Sequence, residues 1–261
     1  MDIKRIYRGL DHAYTKIKSW LNEKKFAAYG TRVKYMFFRE KRSDVLIVSF
    51  PAFAPQNTAR YNYMRTLLPY KCNKLFLLDD FTSNHRGCYL IEENVEQCTT
   101  ELIKSIVQKV GGANLSTRLI FIGSSKGGYS ALNFSFLIPG VDVVIGAPQY
   151  FLGSYLDKGK TQENLRYIIG DITEDGKEKL NNRLRNRIKT STIRPENVYL
   201  HYSIAEHTYD DHVKDMLNDL KTAGINVFED IHTYPNHGGL KDFFPPFITK
   251  TISKLIYNER N

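Results

Sequence analysis

Arg118-Leu119-Ile120-Phe121-Ile122-Gly123-Ser124-Ser125-Lys126-Gly127-Gly128 is the stretch from which the fold of this chain is read. A short apolar run, the mark of a buried strand, stops at Gly123, and residues 126–138 follow with helical spacing. The glycines flank Ser125 in the pattern G-x-S-x-G. A strand that turns this sharply into a helix forces its central residue into strained backbone angles. Side chains two positions away on either side would then clash, so glycine stands there. The central serine is lifted to the carboxyl edge of the sheet above a helix N-terminus, which favours developing negative charge. A phosphate-binding P-loop needs four residues between its first glycine and Gly-Lys-Ser/Thr, and that spacing is absent. Ser124 is the wrong serine for the turn, because its side chain would point away from the edge.

Outward from the turn, apolar runs alternate with helical periodicities. Val33–Phe38, Val45–Phe50, Lys74–Leu78, Val141–Ile145, Val198–Ile204 and Asn226–His232 read as strands. Residues 93–110, 209–222 and 240–257 read as helices, the last with Pro245-Pro246 as a site for a kink. Leu10, Tyr14, Ile17 and Leu21 share one face of an expected helix over 9–25, within an N-terminal helical segment over 1–30. Residues 160–195 are polar and basic with helical spacing in places, and read as an insertion or cap over the site. This rhythm predicts a mainly parallel sheet covered on both faces. With the serine turn, it predicts an α/β-hydrolase fold with a helical insertion around 155–195. No repeat or low-complexity linker marks a boundary, so 1–261 reads as one domain.

Composition narrows the classes. The chain has 261 residues with 42% hydrophobic and 25% charged, which excludes a disordered or collagen-like protein. No apolar run reaches the 18 or more residues of a membrane-spanning helix. Asp11, Lys16 and Lys18 interrupt what would be the apolar part of a secretory signal, so none is expected. Three cysteines, Cys72, Cys88 and Cys98, have no metal-ligand spacing and suit a reducing cytoplasm. The expected location is cytoplasmic, at most peripheral to the inner membrane face, and no metal is expected. A net charge of +9 favours anionic partners such as a polymer or an anionic membrane. No nucleic-acid motif accompanies it. The basic run Arg183, Arg185, Arg187 and Lys189 reads as a solvated helix face, with a phosphate-bearing ligand as the alternative.

A serine nucleophile needs a base and an acid to orient it, which in this fold follow the serine in the order acid, histidine. Of seven histidines, His237 alone lies in a turn-rich loop after the last strand, Pro235-Asn236-His237-Gly238-Gly239. The acid belongs just past the preceding strand. Glu206 comes first there, Asp210 is the alternative with a competing role as helix N-cap, and Asp211 is third. Backbone amides should form the oxyanion hole: Lys126 after the nucleophile, and Ala52 or Phe53 in the loop Phe50-Pro51-Ala52-Phe53-Ala54-Pro55. Pro51 has no N–H to give. Tyr61, Tyr63 and Tyr150 are candidates for lining a sugar site, with core packing as the commoner use of such rings.

The hexapeptide Gly123–Gly128, with Leu78-Asp79-Asp80-Phe81, Gly146-Ala147-Pro148-Gln149 and Glu206-x-x-Tyr209-x-x-His212, resembles the XcbB/CpsF capsular-polysaccharide-biosynthesis family. It is also similar to the hydrolase-like domain of accessory Sec system glycan O-acetyltransferases. The resemblance spans roughly residues 45–240. It implies an α/β-hydrolase core, a triad falling on Ser125, Glu206 and His237, a bacterial surface glycan as substrate, and transfer or removal of an acyl group, usually acetyl. No cofactor is required on this reading, and acetyl-CoA or another acyl donor is admitted. The chain lacks the extra domains of the accessory Sec proteins, so their partners do not carry over. Two other readings stand beside it: a non-catalytic component of a polysaccharide assembly complex, and a carboxylesterase or lipase acting on apolar esters.

Overall fold

The computed structural model describes residues 21–111 and 117–257. Eight strands form one sheet in the order β1-β2-β4-β3-β5-β6-β7-β8. They are β1 (Lys24–Ala28), β2 (Thr31–Phe38), β3 (Val45–Ser49), β4 (Asn73–Leu78), β5 (Arg118–Ser124), β6 (Val141–Gly146), β7 (Asn197–Ser203) and β8 (Val227–His232). Strands β3 to β8 run parallel, and β2 runs antiparallel to its neighbours β1 and β4. The central strands are continuous apolar runs because helices cover both faces. Their alternate residues serve two cores: Leu46, Val48, Leu75, Leu77, Leu119 and Phe121 enter one, and Val45, Ile47, Phe76, Leu78, Ile120 and Ile122 the other.

The larger core is closed by α2 (Glu93–Gly111), α3 (Lys126–Ser135), α6 (Glu174–Thr190) and α7 (Lys214–Thr222). The smaller lies under α1 (Met64–Leu67) and the long α8 (Leu240–Tyr257). Two shorter helices, α4 (Leu152–Leu156) and α5 (Gln162–Ile169), precede α6. Among the described residues no helix is long and apolar enough to cross a membrane.

Two sequence expectations change here. Residues 24–28 form β1, joined to β2 by a tight turn at Tyr29-Gly30, so the helical reading of 1–30 fails over that stretch. The rest of the expected helix over 9–25 lies mostly outside the described residues. The insertion over 155–195 is helical, but α6 does not cap the site. Leu180, Leu184 and Ile188, four residues apart on one stripe, bury into the larger core. Its basic residues are held by acids rather than open to a ligand. Arg183 and Arg187 both bond Glu96 of α2 (2.7 and 2.8 Å), and Arg185 bonds Asp219 of α7 (2.8 Å).

His212 belongs to this packing. It is buried against Phe151 and Tyr155, and its Nδ1 accepts the Phe151 N–H at 3.4 Å. Burial pushes its pKa down to about 4, so the folded protein holds the ring neutral. The unfolded chain, titrating near 6.5, binds the proton first. Stability from this group is therefore full above pH 6.5 and is lost as pH falls towards 4, by at most about 3 kcal/mol. Urea midpoints for wild type and His212→Gln should converge with acidification over that window. Parallel pH profiles would contradict the assignment.

Candidate active site

The turn after β5 has the strain its sequence implies. Ser125 sits at φ 52°, a left-handed value that a non-glycine residue adopts at a cost. Two contacts fix it there: the Ser125 N–H donates to Gly146 O at the end of β6 (2.8 Å), and Tyr129 N–H of α3 donates back to Ser125 O (3.1 Å). A Cβ on Gly123 would lie 2.1 Å from Gly127 O, and one on Gly127 would lie 2.5 Å from Phe50 O. Neither contact can be relieved, because the obstacle in each case is backbone.

Ser125 and His237 line one cavity of about 610 Å³ at the carboxyl edge of the sheet. His237 lies in a short helical turn, His237–Gly239, between β8 and α8. Its Nδ1 is 3.0 Å from Oε2 of Glu206, a carboxylate buried just past the end of β7, and 3.2 Å from Thr208 Oγ1. A carboxylate only accepts, so Nδ1 carries the proton and the neutral ring offers its lone pair at Nε2. Nε2 is buried and has no partner. The Ser125 hydroxyl is not bonded to it; Oγ accepts instead from Gln149 Nε2 at 2.8 Å. Carboxylate and imidazole are thus joined, Nε2 has no hydrogen-bond partner, and the Ser125 hydroxyl lies on the same cavity wall. Loose serine–histidine contacts are common in unliganded sites and tighten with substrate.

Asp210 is exposed and makes no bond to His237, leaving Glu206 as the carboxylate on the ring. The Ala52 N–H is committed to Asn62 Oδ1 at 3.0 Å, which argues against it as an oxyanion donor; Phe53 lines the cavity beside it. Lys126 opens α3, so its N–H is one of the free amides at the helix start. Tyr150 is not at the site: it is fully buried and its hydroxyl donates to Asp219 Oδ2 at 2.7 Å. Tyr61 and Tyr63 do line the cavity, Tyr61 bonded to Glu23 Oε2 (2.9 Å) and Tyr63 to the Ser124 hydroxyl (2.5 Å). Gln149 carries no role in the sequence reading. Its signal was its place three residues past the end of β6, in Gly146-Ala147-Pro148-Gln149.

Electrostatics give the cavity a sign. Arg60, Arg65, Arg86 and Lys241 line it, and among the described lining residues there is no carboxylate. Arg86 also lies over the Phe53 ring, 4.7 Å from its centroid. One group of metal-ligating side chains occurs among the described residues, His201, Asp230 and His232 on β7 and β8. Both imidazoles point at a single oxygen, Asp230 Oδ2 (2.7 and 3.1 Å), so the carboxylate occupies the point where their lone pairs or protons converge.

The assignment of the acid is directly testable. Glu206→Gln should lower kcat on an acetyl ester by about 10²-fold or more, since it removes the negative charge and allows an amide N–H to face Nδ1, which favours the wrong His237 tautomer. Asp210→Asn should leave kcat within about twofold, as expected of an exposed side chain with no hydrogen bond to the ring. Equal losses in steady-state assays would refute the pairing.

A scan against protein-family models found no match, and a search of curated protein sequences found none. Solved structures give clear likenesses. The chain is similar to the capsule O-acetyltransferase of Neisseria meningitidis serogroup A, with TM-score 0.73 and 22% identity over 88% of this chain and 94% of that one. Acylaminoacyl peptidase of Pyrococcus horikoshii aligns at TM-score 0.63 and 15% identity, over 90% of this chain and 40% of that one. The chain has the α/β-hydrolase fold. In this hydrolase fold the serine turn after β5 and the loop after β8 face one another across the carboxyl edge of the sheet, as they do here. A further likeness is to the glycosylation-associated protein complex Gap123 of Streptococcus agalactiae, at TM-score 0.74 and 19% identity, where the chain spans 92% of itself and 47% of that chain.

Proposed function

We propose that the protein is an O-acyltransferase, acetyl being the favoured group, that acts on a bacterial surface polysaccharide through an acyl-Ser125 intermediate. The observation that carries this reading is the strained Ser125 on one cavity wall with the Glu206-bound imidazole of His237, vacant at Nε2, on the same cavity. In the proposed cycle Nε2 takes the proton of Ser125 Oγ as Oγ attacks the carbonyl carbon of a thioester or ester. The N–H groups of Lys126 and Phe53 hold the oxyanion. The bond to the leaving group breaks, and His237 returns the proton to that group. A sugar hydroxyl then gives its proton to Nε2 as it attacks the acyl-serine carbonyl; the bond from Oγ to the acyl carbon breaks, Nε2 passes the proton to Oγ, and the sugar leaves as the ester. Attack by water in the same step gives hydrolysis.

Donor and acceptor are read from chemistry and from neighbours. The cationic wall suits a phosphate-bearing donor, and a mutant of the meningococcal O-acetyltransferase, similar at TM-score 0.73, is described in complex with CoA. That protein's own name supports capsule as the substrate class here, as does the sequence resemblance to the XcbB/CpsF family. A wall that carries Arg60, Arg65, Arg86 and Lys241 disfavours the lipase reading, since it offers polar rather than apolar surface to a long-chain ester. A vacant, oriented base disfavours a purely structural component. The test is mass spectrometry of surface polysaccharide from the producing strain with and without the gene. Loss of O-acetyl groups on deletion is the expected result; an unchanged glycan would reject the proposal.

A further inference from the structure

Two turns meet at Ser125. The first carries the serine. The second, Gly146-Ala147-Pro148-Gln149 after β6, is strained in its own right: Ala147 sits at φ 35°, in the left-handed region that residues with a side chain rarely adopt. It is pinned where it begins. Gly146 O accepts the Ser125 N–H at 2.8 Å, and the Ala147 N–H donates to His201 O at 2.8 Å. Gly128, the last glycine of the serine motif, gives the turn room, since a Cβ there would lie 3.1 Å from Pro148 Cβ. Backbone strain of this kind persists only where the surrounding structure fixes it, and it gathers at functional sites.

What this turn delivers is one side chain. Gln149 is 1% exposed, and its Nε2 donates to Ser125 Oγ at 2.8 Å. The other end of the amide faces Tyr89, whose hydroxyl donates to Gln149 Oε1 over a long 3.5 Å. Tyr89 is itself buried between the rings of Phe53 and Tyr129, at 5.4 and 5.5 Å. Burial pushes its hydroxyl well above the ordinary phenol range, so it stays protonated and can only direct Oε1 towards itself and the amide N–H towards the serine. An Oγ that accepts from Gln149 keeps its own proton for another acceptor. Nε2 of His237, unpartnered on the same cavity, is an acceptor of that kind.

We infer that Gln149 is a further catalytic residue, a fixed donor to the nucleophile oxygen itself rather than to the carbonyl oxygen of the substrate. The inference rests on the acyl-Ser125 reading above. As Oγ gives its proton to His237 Nε2, negative charge grows on Oγ before its bond to the carbonyl carbon is complete. The Gln149 N–H, which keeps its proton throughout, meets that charge. In the second half of the cycle the bond from Oγ to the acyl carbon breaks, its electron pair returns to Oγ, and the same N–H meets it until His237 returns the proton. A hydrogen bond to an ionised acceptor is roughly twice as strong as one to a neutral acceptor, so a bond present at rest strengthens where it lowers the barrier.

Gln149→Met removes the donor and keeps the bulk. The rate constant for fluorophosphonate labelling of Ser125 should fall about tenfold, and kcat on p-nitrophenyl acetate by a similar factor with KM within about twofold. The pH profile of labelling should keep its midpoint, set by His237, while its plateau falls. Circular dichroism checks the fold. If the methionine variant does not fold, the isosteric Gln149→Glu is read in its place at alkaline pH, where an ionised carboxylate can only accept. Labelling at the wild-type rate in the folded variant would overturn the inference. Faster labelling would overturn it as well, by marking Gln149 as a clamp that holds the hydroxyl away from His237. A loss confined to KM, or a shifted midpoint, would also overturn it, tracing the effect to a substrate contact or a displaced imidazole. No labelling of wild-type Ser125 would sink the acyl-serine reading and this inference with it.

Discussion

Ser125→Ala should lower kcat for acyl transfer on the order of 10³-fold or more, and His237→Ala should lower it by a similar factor. Combining them should add little, because the two groups act in one step: without the hydroxyl there is no proton for Nε2 to take, and without Nε2 the hydroxyl is a weak nucleophile. The double-mutant cycle is the informative measurement. Losses that multiply would mean that the two side chains work independently, and the proposed pairing across the cavity would be wrong. The residual rate in the double variant should trace to the backbone amides of Lys126 and Phe53, which alanine at 125 and 237 leaves in place.

Lys126→Met should destabilise the fold by about 3–5 kcal/mol. The Lys126 side chain is 2% exposed, and its ammonium lies 2.7 Å from Asp79 Oδ2, itself fully buried. It also donates to Arg86 O at 2.8 Å, and Asp79 Oδ1 accepts the Cys88 N–H at 2.9 Å. This pair fastens the first residue of α3 to the end of β4 and to the loop that carries Arg86 into the cavity. Methionine matches the lysine stem in bulk but leaves the Asp79 charge without its cation in a dry site, which is the costly half of breaking a buried pair. Lys126→Met with Asp79→Leu should recover a large part of the loss, since neither charge then remains. Chemical denaturation of the single and double variants reads both effects. A Lys126→Met variant within about 1 kcal/mol of wild type would show that the pair contributes no such constraint.

Much of this site could be read from sequence because its chemistry is local. The serine turn needs glycines at fixed offsets, and Ser125 at φ 52° between Gly123 and Gly127 is the consequence. Strand ends locate the proposed acid and base, so Glu206 and His237, which the structure brings to 3.0 Å, could be found from the apolar runs before them. What could not be read depends on partners distant in the chain. Nothing near Ala52 says that Asn62 takes its N–H, and nothing near Tyr150 says that Asp219 takes its hydroxyl. The arginines of 183–187 looked like an open basic face because Glu96 lies 87 residues away from the first of them. β1 was missed for another reason: Lys24-Lys25-Phe26-Ala27-Ala28 is short, half exposed and only weakly alternating, and an edge strand held by one hairpin partner needs no stronger pattern. Gln149 has no role legible in the sequence, because its approach to Ser125 depends on the turn after β6 meeting the turn after β5.

Active-site labelling reads out whether Ser125 is a nucleophile that His237 activates. The folded protein is treated with a fluorophosphonate, digested, and the modified residue located by peptide mass spectrometry. The account predicts one adduct, on Ser125, lost in Ser125→Ala and strongly slowed in His237→Ala. No adduct on Ser125 in folded protein, or labelling that proceeds at the wild-type rate without His237, would contradict it.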